Sequence, residues 1–331
     1  MIRMNMKYME MLKGARSIVG TCANVRQGEN VLIVTDTNKV SLAEVLAIAA
    51  QERRAEVTIA IMSVRKLGEE PPKPIASAMK VADVIITPTE VTMYHTKARV
   101  EACAQGARVL TLSGATEEIL MREAMMIDFQ RQKPGVERIG AEFTRAKKIR
   151  FTAPGGTDLE ADIEGRVANV DTGICHKPGE CMGMPLVEVN VPPLENTAKG
   201  VIVVDGSASL LGIVREPIKI IVEEGKAVEI TGGGQAEELR NILEEKNNPN
   251  VYAIAEIAVG LNPKGKIIGV LTEDESAWRT GHIALGDNTS LGGVNQAPIH
   301  IDMIIRKPTI ILDEKFVVVK DGIPQVEFEK G

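Results

Sequence analysis

The chain has 331 residues, of which 44% are hydrophobic and 25% are charged, and its formal net charge is −6. A chain of this length and composition can bury the core of one or two domains. The acidic balance and the lack of a run of lysines and arginines exclude the basic surface typical of nucleic-acid binding. We therefore expect no nucleic-acid partner.

No stretch approaches the roughly 18 apolar residues that a membrane-spanning helix needs. The first residues also lack the apolar core of a signal peptide. We therefore expect a cytoplasmic protein with no membrane partner. The four cysteines are too few and too scattered for a disulfide framework. Cys175, His176 and Cys181 form a C-H-x4-C pattern that fits no common structural zinc site, so their role stays open.

Helical and strand patterns alternate along the first part of the chain. Short apolar runs rich in β-branched residues predict strands at 30–36, 55–62, 83–89 and 107–114. Helical periodicity predicts helices at 40–54, 95–106 and 115–125. Helices between buried strands indicate parallel βαβ units. We predict that residues 1–150 form an α/β domain with a Rossmann-like, doubly wound parallel sheet, although no G-x-G-x-x-G motif follows its first strand to bind a dinucleotide.

The pattern becomes rich in strands after residue 150. Turn signals such as DG, EEGK and NPKGK separate short runs of β-branched residues, and one helical pattern, at 236–248, interrupts them. We predict that residues 151–331 form a second, β-rich α+β domain. The candidate functional residues fall mainly within it, so we expect it to be a metal-site domain.

The run APIHIDMII contains His300 and Asp302 two positions apart. In a β-strand alternate residues point to the same face, so both side chains share one face while Ile301 points to the other. A buried imidazole beside a buried carboxylate is costly unless each has a partner or a cation. A salt-bridged structural pair is the alternative to a metal site. A further histidine, His282 in GHIALGDN, lies in the same glycine-rich part of the chain and adds a third candidate ligand.

Two isolated glutamates extend this set of candidate ligands. Glu256 is the only charge in VYAIAEIAVGLNP, and Glu188 lies between valines in MPLVEVNVPP. Each of these residues alone could face solvent on an edge strand. Together with the two histidines and the aspartate they make five oxygen and nitrogen donors on strand-like segments. Such a donor set suits Zn, Mn, Co or Fe, as one ion or as two ions bridged by a carboxylate.

Several motifs together resemble one enzyme family. GHIALGDN followed by H-x-D, the upstream A-E-I-A-x-G-x-N-P and the strand leading into PPLENTAKGVIVVDGS are similar to the thermophilic, leucyl aminopeptidase-like metallo-aminopeptidases of the aminopeptidase T and S type. The resemblance implies a homodimer and a dinuclear metal site. The implied ligands are Glu188, Glu256, His282, His300 and Asp302. The family's active-site tyrosine is Thr289 here, and the interval from His282 to His300 is shorter.

A related branch on the same scaffold is dihydroxypyridine dioxygenase, a mononuclear Fe(II) enzyme that opens an aromatic ring. This resemblance implies that His282, His300 and Asp302 hold the iron, the facial triad typical of oxygen-using enzymes. It also implies a histidine near the substrate, which falls on His95 in MYHTKARVEA. A loop at the carboxyl end of a parallel strand borders the crevice where ligands bind. The alternative is that His95 only caps the N-terminus of a helix.

The residues and the resemblance lead to three hypotheses of function. We favour a metal-dependent hydrolase that cleaves a peptide-like amide in a small molecule or short peptide, because both glutamates are present in the expected order. Metal-activated water would attack the amide, and Glu256 or His95 would transfer the proton. The alternatives are an Fe(II) ring-opening dioxygenase acting on a hydroxylated pyridine or similar aromatic, and a non-catalytic metal-containing binding protein.

Overall fold

The computed structural model describes residues 6–66 and 68–326. They form two compact units. The first unit contains residues 6–130 and 173–186, and the second contains residues 131–172 and 187–326. The predicted domain boundary near residue 150 stays a prediction, because compactness alone does not show which segments fold independently.

The described residues contain eight α-helices. In chain order they are α1 Met6–Arg16, α2 Val40–Glu52, α3 Lys73–Met79, α4 Lys97–Ala104, α5 Glu117–Met121, α6 Phe129–Arg145, α7 Gly234–Glu245 and α8 Leu271–Asp274. A π-helical turn and three 3₁₀ turns occupy Ser17–Cys22, Glu123–Met125, Pro249–Tyr252 and Thr289–Leu291. None of the helices among the described residues is long and apolar enough to span a membrane.

Twenty strands connect these helices within the described part of the chain. They are β1 Asn30–Asp36, β2 Glu56–Met62, β3 Val84–Thr87, β4 Arg108–Thr111, β5 Lys148–Thr152, β6 Asp158–Asp162, β7 Asn169–Asp171, β8 Cys181–Gly183, β9 Glu188–Val191, β10 Lys199–Val204, β11 Ser207–Ala208, β12 Gly212–Ile213, β13 Ile218–Glu223, β14 Lys226–Thr231, β15 Ile254–Gly260, β16 Thr280–Gly286, β17 His300–Arg306, β18 Thr309–Leu312, β19 Phe316–Lys320 and β20 Ile323–Pro324.

The first unit contains a five-stranded parallel sheet in the order β2-β1-β3-β4-β8. Six of the seven residues of β1 are buried, as its apolar run predicts for a strand covered on both faces. The α/β prediction is therefore confirmed. The Rossmann-like detail is not confirmed, because β1 lies between β2 and β3 whereas the Rossmann order begins 3-2-1. The edge strand β8 also comes from a segment far beyond the other four.

The second unit contains two antiparallel sheets, which confirms its predicted β-rich character. The eight-stranded sheet has the order β14-β13-β10-β6-β5-β18-β19-β20, and the seven-stranded sheet has the order β12-β11-β17-β16-β15-β9-β7. Strands β15 and β16, near the middle of the seven-stranded sheet, are buried along their whole length. These strands position the candidate site.

One face of the seven-stranded sheet, here called the apolar face, packs into the core. Met303, Ile283 and Ile257 lie side by side on it across β17, β16 and β15, and all three are fully buried. Phe151 of the eight-stranded sheet covers Gly281 so closely that a Cβ atom there would lie 2.8 Å from the phenyl ring. A glycine is therefore required at this contact. The opposite face, here called the site face, carries the polar residues.

Candidate metal centre

The register of three neighbouring strands brings the predicted ligands onto the site face. Asp302 of β17 pairs with Ala284 of β16, which in turn pairs with Glu256 of β15. Residues that pair directly across antiparallel strands point to the same face. His300 and His282 lie two residues from Asp302 and Ala284 along the same strands, so they share that face. The sequence prediction that His300 and Asp302 point the same way therefore agrees with the observed register.

Strands β9 and β7 add two carboxylates to the same face. Glu188 of β9 pairs with Gly260, which lies four residues beyond Glu256 on β15 and so shares its face. Asp171 of β7 pairs with Glu188 in turn. Asp171 was not among the predicted site residues. It ends a three-residue strand with no apolar run around it, so its charge does not stand out in the sequence.

The side chains of four predicted residues meet at the centre of the site face. His300 Nε2 lies 3.0 Å from Glu256 Oε2 and 3.0 Å from Asp302 Oδ1. His282 Nε2 lies 3.4 Å from Glu256 Oε1 and 3.9 Å from Asp302 Oδ1. One ligand atom from each of Glu256, His300 and Asp302 lies within 4.8 Å of the other two. The separations suit donors that converge on one cation after small side-chain adjustments.

The fifth predicted residue, Glu188, joins a second, overlapping group. One ligand atom from each of Glu188, Glu275 and His282 also lies within 4.8 Å of the other two. Since His282 contacts Glu256 as well, the two groups form one continuous cluster. The structure therefore brings all five residues that the sequence singled out for metal binding into one region. Their coordination of an ion stays a prediction.

Glu275 is a member of the cluster that the sequence did not reveal. It follows α8 in the segment TEDESAW, where its charge is one of three acidic residues in a row. The segment reaches the site face because Gly260 has no side chain. A Cβ atom at Gly260 would lie 2.6 Å from the carbonyl oxygen of Glu275 and 2.5 Å from that of Ala277. Only this close approach, which cannot be inferred from the strand pattern, places Glu275 beside His282.

Buried polar atoms that lack a well-formed hydrogen bond show that the cluster fits a cation. His282 is fully buried, and neither of its ring nitrogens makes a well-formed hydrogen bond among the described residues, although Nε2 lies 3.4 Å from Glu256 Oε1. Glu188 Oε2 is also buried, and no described residue forms a hydrogen bond with it. Buried polar atoms are almost always paired, because an unpaired one loses its hydration without compensation. Imidazole nitrogens and carboxylate oxygens together are the donor set that divalent first-row metals accept.

The charges of the cluster also favour a bound cation. Burial opposes the charged form of His282, but Glu188, Glu256 and Asp302 together raise its pKa to about 9. Burial raises the pKa of Glu188 to about 8. Burial also raises the pKa of Glu275 well above its usual value, and the neighbouring carboxylate of Glu188 adds to this. The carboxylates outnumber the imidazoles, so the cluster holds protons that a bound cation would displace.

Two contacts orient the ligands from outside the cluster. His300 Nδ1 lies 2.6 Å from the backbone oxygen of Asp287. Donation of its proton to that oxygen leaves the lone pair of a neutral imidazole on Nε2, toward Glu256 and Asp302. The hydroxyl of Ser209 lies 3.3 Å from Asp302 Oδ2 and accepts a 3.0 Å hydrogen bond from the Asp302 backbone nitrogen.

A cavity of about 180 Å³ opens beside Ser209. Its lining includes Ser207, Leu210, Leu271 and Asp274. Asp274 is already held by Ser207 Oγ at 2.6 Å and by the backbone nitrogens of Ile268 and Gly269. The cavity therefore borders Ser209, which contacts Asp302, and the carboxylate of Asp274 in its lining is already paired.

The remaining predicted site residue, His95, belongs to the first unit, whereas the cluster belongs to the second. It lies between β3 and α4, and its exposed ring packs edge-on against Tyr94 with centroids 5.2 Å apart. The N-cap of α4 is Thr96, whose side chain accepts a hydrogen bond from the backbone nitrogen of Arg99. His95 is therefore not the capping residue, and its role near a substrate stays a prediction.

The fold and the cluster together place this chain in a class of proteins: mixed α/β proteins whose antiparallel sheet carries a candidate metal site. Within that class, the chain belongs to the NicX family of 2,5-dihydroxypyridine 5,6-dioxygenases, whose family model matches residues 11–325. It is 26% identical over 258 residues to the 2,5-dihydroxypyridine 5,6-dioxygenase of Pseudomonas putida KT2440, covering 74% of this chain and 72% of that protein.

Two solved structures share the fold. The structure of 2,5-dihydroxypyridine dioxygenase from Pseudomonas putida KT2440 superposes with a TM-score of 0.83 at 22% identity, covering 96% of this chain and 97% of that one. Wild-type AmpT from Thermus thermophilus superposes with a TM-score of 0.67 at 18% identity, covering 96% and 99%. The predicted relation to the aminopeptidase scaffold is thus confirmed, while the family itself is the dioxygenase branch.

The prediction of a peptide hydrolase was wrong. The family model over 11–325 and the Pseudomonas putida relative both indicate a dioxygenase. The hydrolase prediction depended on Glu188 and Glu256 occurring in the order expected for a dinuclear site. Their order follows from the strand arrangement, which AmpT shares as a fold, and so it does not distinguish the two chemistries. Membership in a dioxygenase family implies a metal, as predicted, but gives no support for Zn, Co or Mn.

Proposed function

We propose that this protein is an Fe(II)-dependent dioxygenase that opens the ring of a hydroxylated pyridine or a similar small aromatic compound. The observation that carries the proposal is the convergence of His282, His300 and Asp302 on the site face. Two imidazoles and one carboxylate are the usual ligand set of oxygen-using, non-haem iron. The family's activity supports a small-molecule substrate.

We assign the iron ligands to His282 Nε2, His300 Nε2 and Asp302 Oδ1. The bound Fe(II) would supply a centre at which molecular oxygen and the hydroxylated ring are activated side by side. Glu256 lies 3.0 Å from His300 Nε2, so its carboxylate can hold a proton there or approach the ion. Ala284 lies between Glu256 and Asp302 in the register, so only a methyl group separates these two side chains along the site face.

The surroundings of the cluster support a dry site. Glu256 and Asp302 are 3% and 5% exposed, and His282 is fully buried. Such burial strengthens electrostatic interactions with a bound substrate and limits side reactions with water. His300 is the one histidine of the cluster that is partly exposed, at 31% of its side chain, so we expect the substrate to approach from its side.

Oxygen uptake by anaerobically prepared, iron-loaded protein tests the proposal. With 2,5-dihydroxypyridine as the probe, we expect one iron per chain and substrate-dependent consumption of oxygen. With ¹⁸O₂, both labelled atoms should appear in the ring-opened product, since a dioxygenase transfers both. Protein that carries a full equivalent of iron but consumes no oxygen with hydroxylated pyridines would contradict the proposal and favour a non-catalytic metal-binding protein.

A further inference from the structure

Ser209 lies beside the cluster and contacts Asp302, one of its members. It follows β11 directly and lies opposite Asp302, because Ala208 pairs with Met303 in the adjacent register position. Its backbone nitrogen donates a 2.9 Å hydrogen bond to the Asp302 carbonyl oxygen. Ser209 is only 8% exposed, and its side chain points to the same face as the Asp302 carboxylate.

The hydroxyl of Ser209 makes two different hydrogen bonds to the same residue. Its oxygen accepts from the Asp302 backbone nitrogen at 3.0 Å, and its hydrogen is available to Asp302 Oδ2 at 3.3 Å. The other carboxylate oxygen, Oδ1, faces His300 Nε2 at 3.0 Å and His282 Nε2 at 3.9 Å. One hydroxyl thus links the carboxylate to its own backbone, so that Oδ2 is held by Ser209 while Oδ1 faces the two imidazoles.

The backbone next to Ser209 is held in a costly conformation. Leu210 has φ +70°, a left-handed conformation that side chains rarely adopt, although its side chain is 71% exposed and gains little from burial. Such a conformation is unfavourable for a residue with a side chain and tends to persist near functional sites. The tight turn is fixed further by Gln235, whose side-chain nitrogen donates to the carbonyl oxygens of Leu211 and Ile213. The turn places the Ser209 hydroxyl in a defined position.

We propose that Ser209 is a positioning residue that holds Asp302 with Oδ1 directed at the metal. This inference rests on the proposed function, because it takes Asp302 as an iron ligand. Hydrogen bonds from outside a metal site restrict the rotation of the ligand, and their loss typically weakens metal binding by about tenfold to a hundredfold. Without the hydroxyl, Asp302 could rotate and offer either oxygen, and its backbone nitrogen would lose its partner.

The test compares metal affinity in three serine variants and the intact protein. Ser209→Ala removes the hydroxyl, and Ser209→Thr retains it. Ser207→Ala is the matched control, because Ser207 lies two residues earlier on the same face but donates to Asp274 rather than to Asp302. Affinity for Co(II) is measured by competition with a chelator, without substrate, and the visible absorption of the Co(II) form reports the coordination geometry.

We expect Ser209→Ala to weaken Co(II) binding by about tenfold to a hundredfold and to change the Co(II) spectrum. Ser209→Thr should stay within about threefold of the intact protein, and Ser207→Ala within about twofold. Should Ser209→Ala keep the original affinity and spectrum while only the melting temperature of the metal-free protein falls, Ser209 is merely structural and the inference is wrong.

Two further results separate this inference from the proposed function. If Ser209→Ala weakens metal binding but the iron-loaded intact protein consumes no oxygen with hydroxylated pyridines, the inference stands and the proposed function fails. If Asp302→Ala binds Co(II) as tightly as the intact protein, the metal does not use Asp302, and the inference is overturned together with the ligand assignment.

Discussion

At the centre of the seven-stranded sheet, both faces are buried but they differ in chemistry. On the apolar face Ile257 and Ile283 are fully inaccessible, and on the site face His282 is fully inaccessible and Glu256 is 3% exposed. Solvent therefore does not explain the polar residues of the site face. Burial of a polar or charged side chain is costly unless that side chain is paired. On the site face the available partners are the other charged side chains and a cation. We propose that the apolar face contributes stability and that the site face binds the metal.

Among the changes that test this difference between the two faces, we expect Asp302→Ala to have the largest effect, a loss of bound iron. Removal of a ligand that faces both imidazoles should abolish stoichiometric iron, a loss well beyond the tenfold to hundredfold typical of residues that only orient ligands. Iron per chain is measured after anaerobic loading and desalting. The control is Asp158→Ala, which removes an exposed carboxylate paired with Arg150 on the eight-stranded sheet and should keep full iron. Full iron in Asp302→Ala would place the site elsewhere.

The apolar face should respond in the opposite way. Phe151→Ala removes a fully buried ring that covers Gly281, and we expect a loss of about 3–5 kcal/mol in the free energy of unfolding. The remaining folded protein should bind iron with unchanged stoichiometry, because the ring contacts the other side of the sheet. Denaturant unfolding and iron content measure the two effects. A loss of iron without a loss of stability would break the distinction between the faces.

Gly260→Ala tests how Glu275 reaches the site face. The added methyl group would lie 2.5–2.7 Å from backbone atoms of residues 275–277, so that segment must move. We expect a loss of about 1–3 kcal/mol in the free energy of unfolding, as is usual when a well-packed contact is overfilled. Chemical denaturation of the metal-free variant measures it. Unchanged stability would mean that the segment does not pack on the sheet as described.

The smallest effect is expected for Glu256→Gln. The amide keeps the shape of the carboxylate and one acceptor oxygen near His300, so iron affinity should fall by less than about tenfold if iron is held mainly by His282, His300 and Asp302. Oxygen uptake measured on the same variant shows whether the charge of Glu256 matters for turnover. Complete loss of iron would instead make Glu256 an obligatory ligand and would require a larger ligand set.

The sequence predicted the parts of the site that depend on strand periodicity. His300 and Asp302 share a face because they are two residues apart, and Glu188 and Glu256 stand out because each is a lone charge in an apolar strand. Glu275 could not be predicted in this way, because its position depends on a loop that packs over Gly260. A local strand pattern carries no information about which distant segment will approach it.

The fold shows the same division between local and distant information. The strand β1 was predicted with its observed bounds from its run of β-branched residues. The order of the parallel sheet was not predictable, since its edge strand Cys181–Gly183 pairs with β4 from far along the chain. The activity also could not be predicted from strand patterns. The same arrangement of carboxylates and imidazoles is compatible with hydrolysis at two metal ions and with oxygen chemistry at one.

A crystal structure of protein loaded anaerobically with iron, with anomalous data collected at the iron absorption edge, tests the central claim most directly. We expect one anomalous peak per chain, at about 2.0–2.3 Å from His282 Nε2, His300 Nε2 and Asp302 Oδ1. A peak bound by other residues, or full iron in solution with no peak at this cluster, would contradict the account.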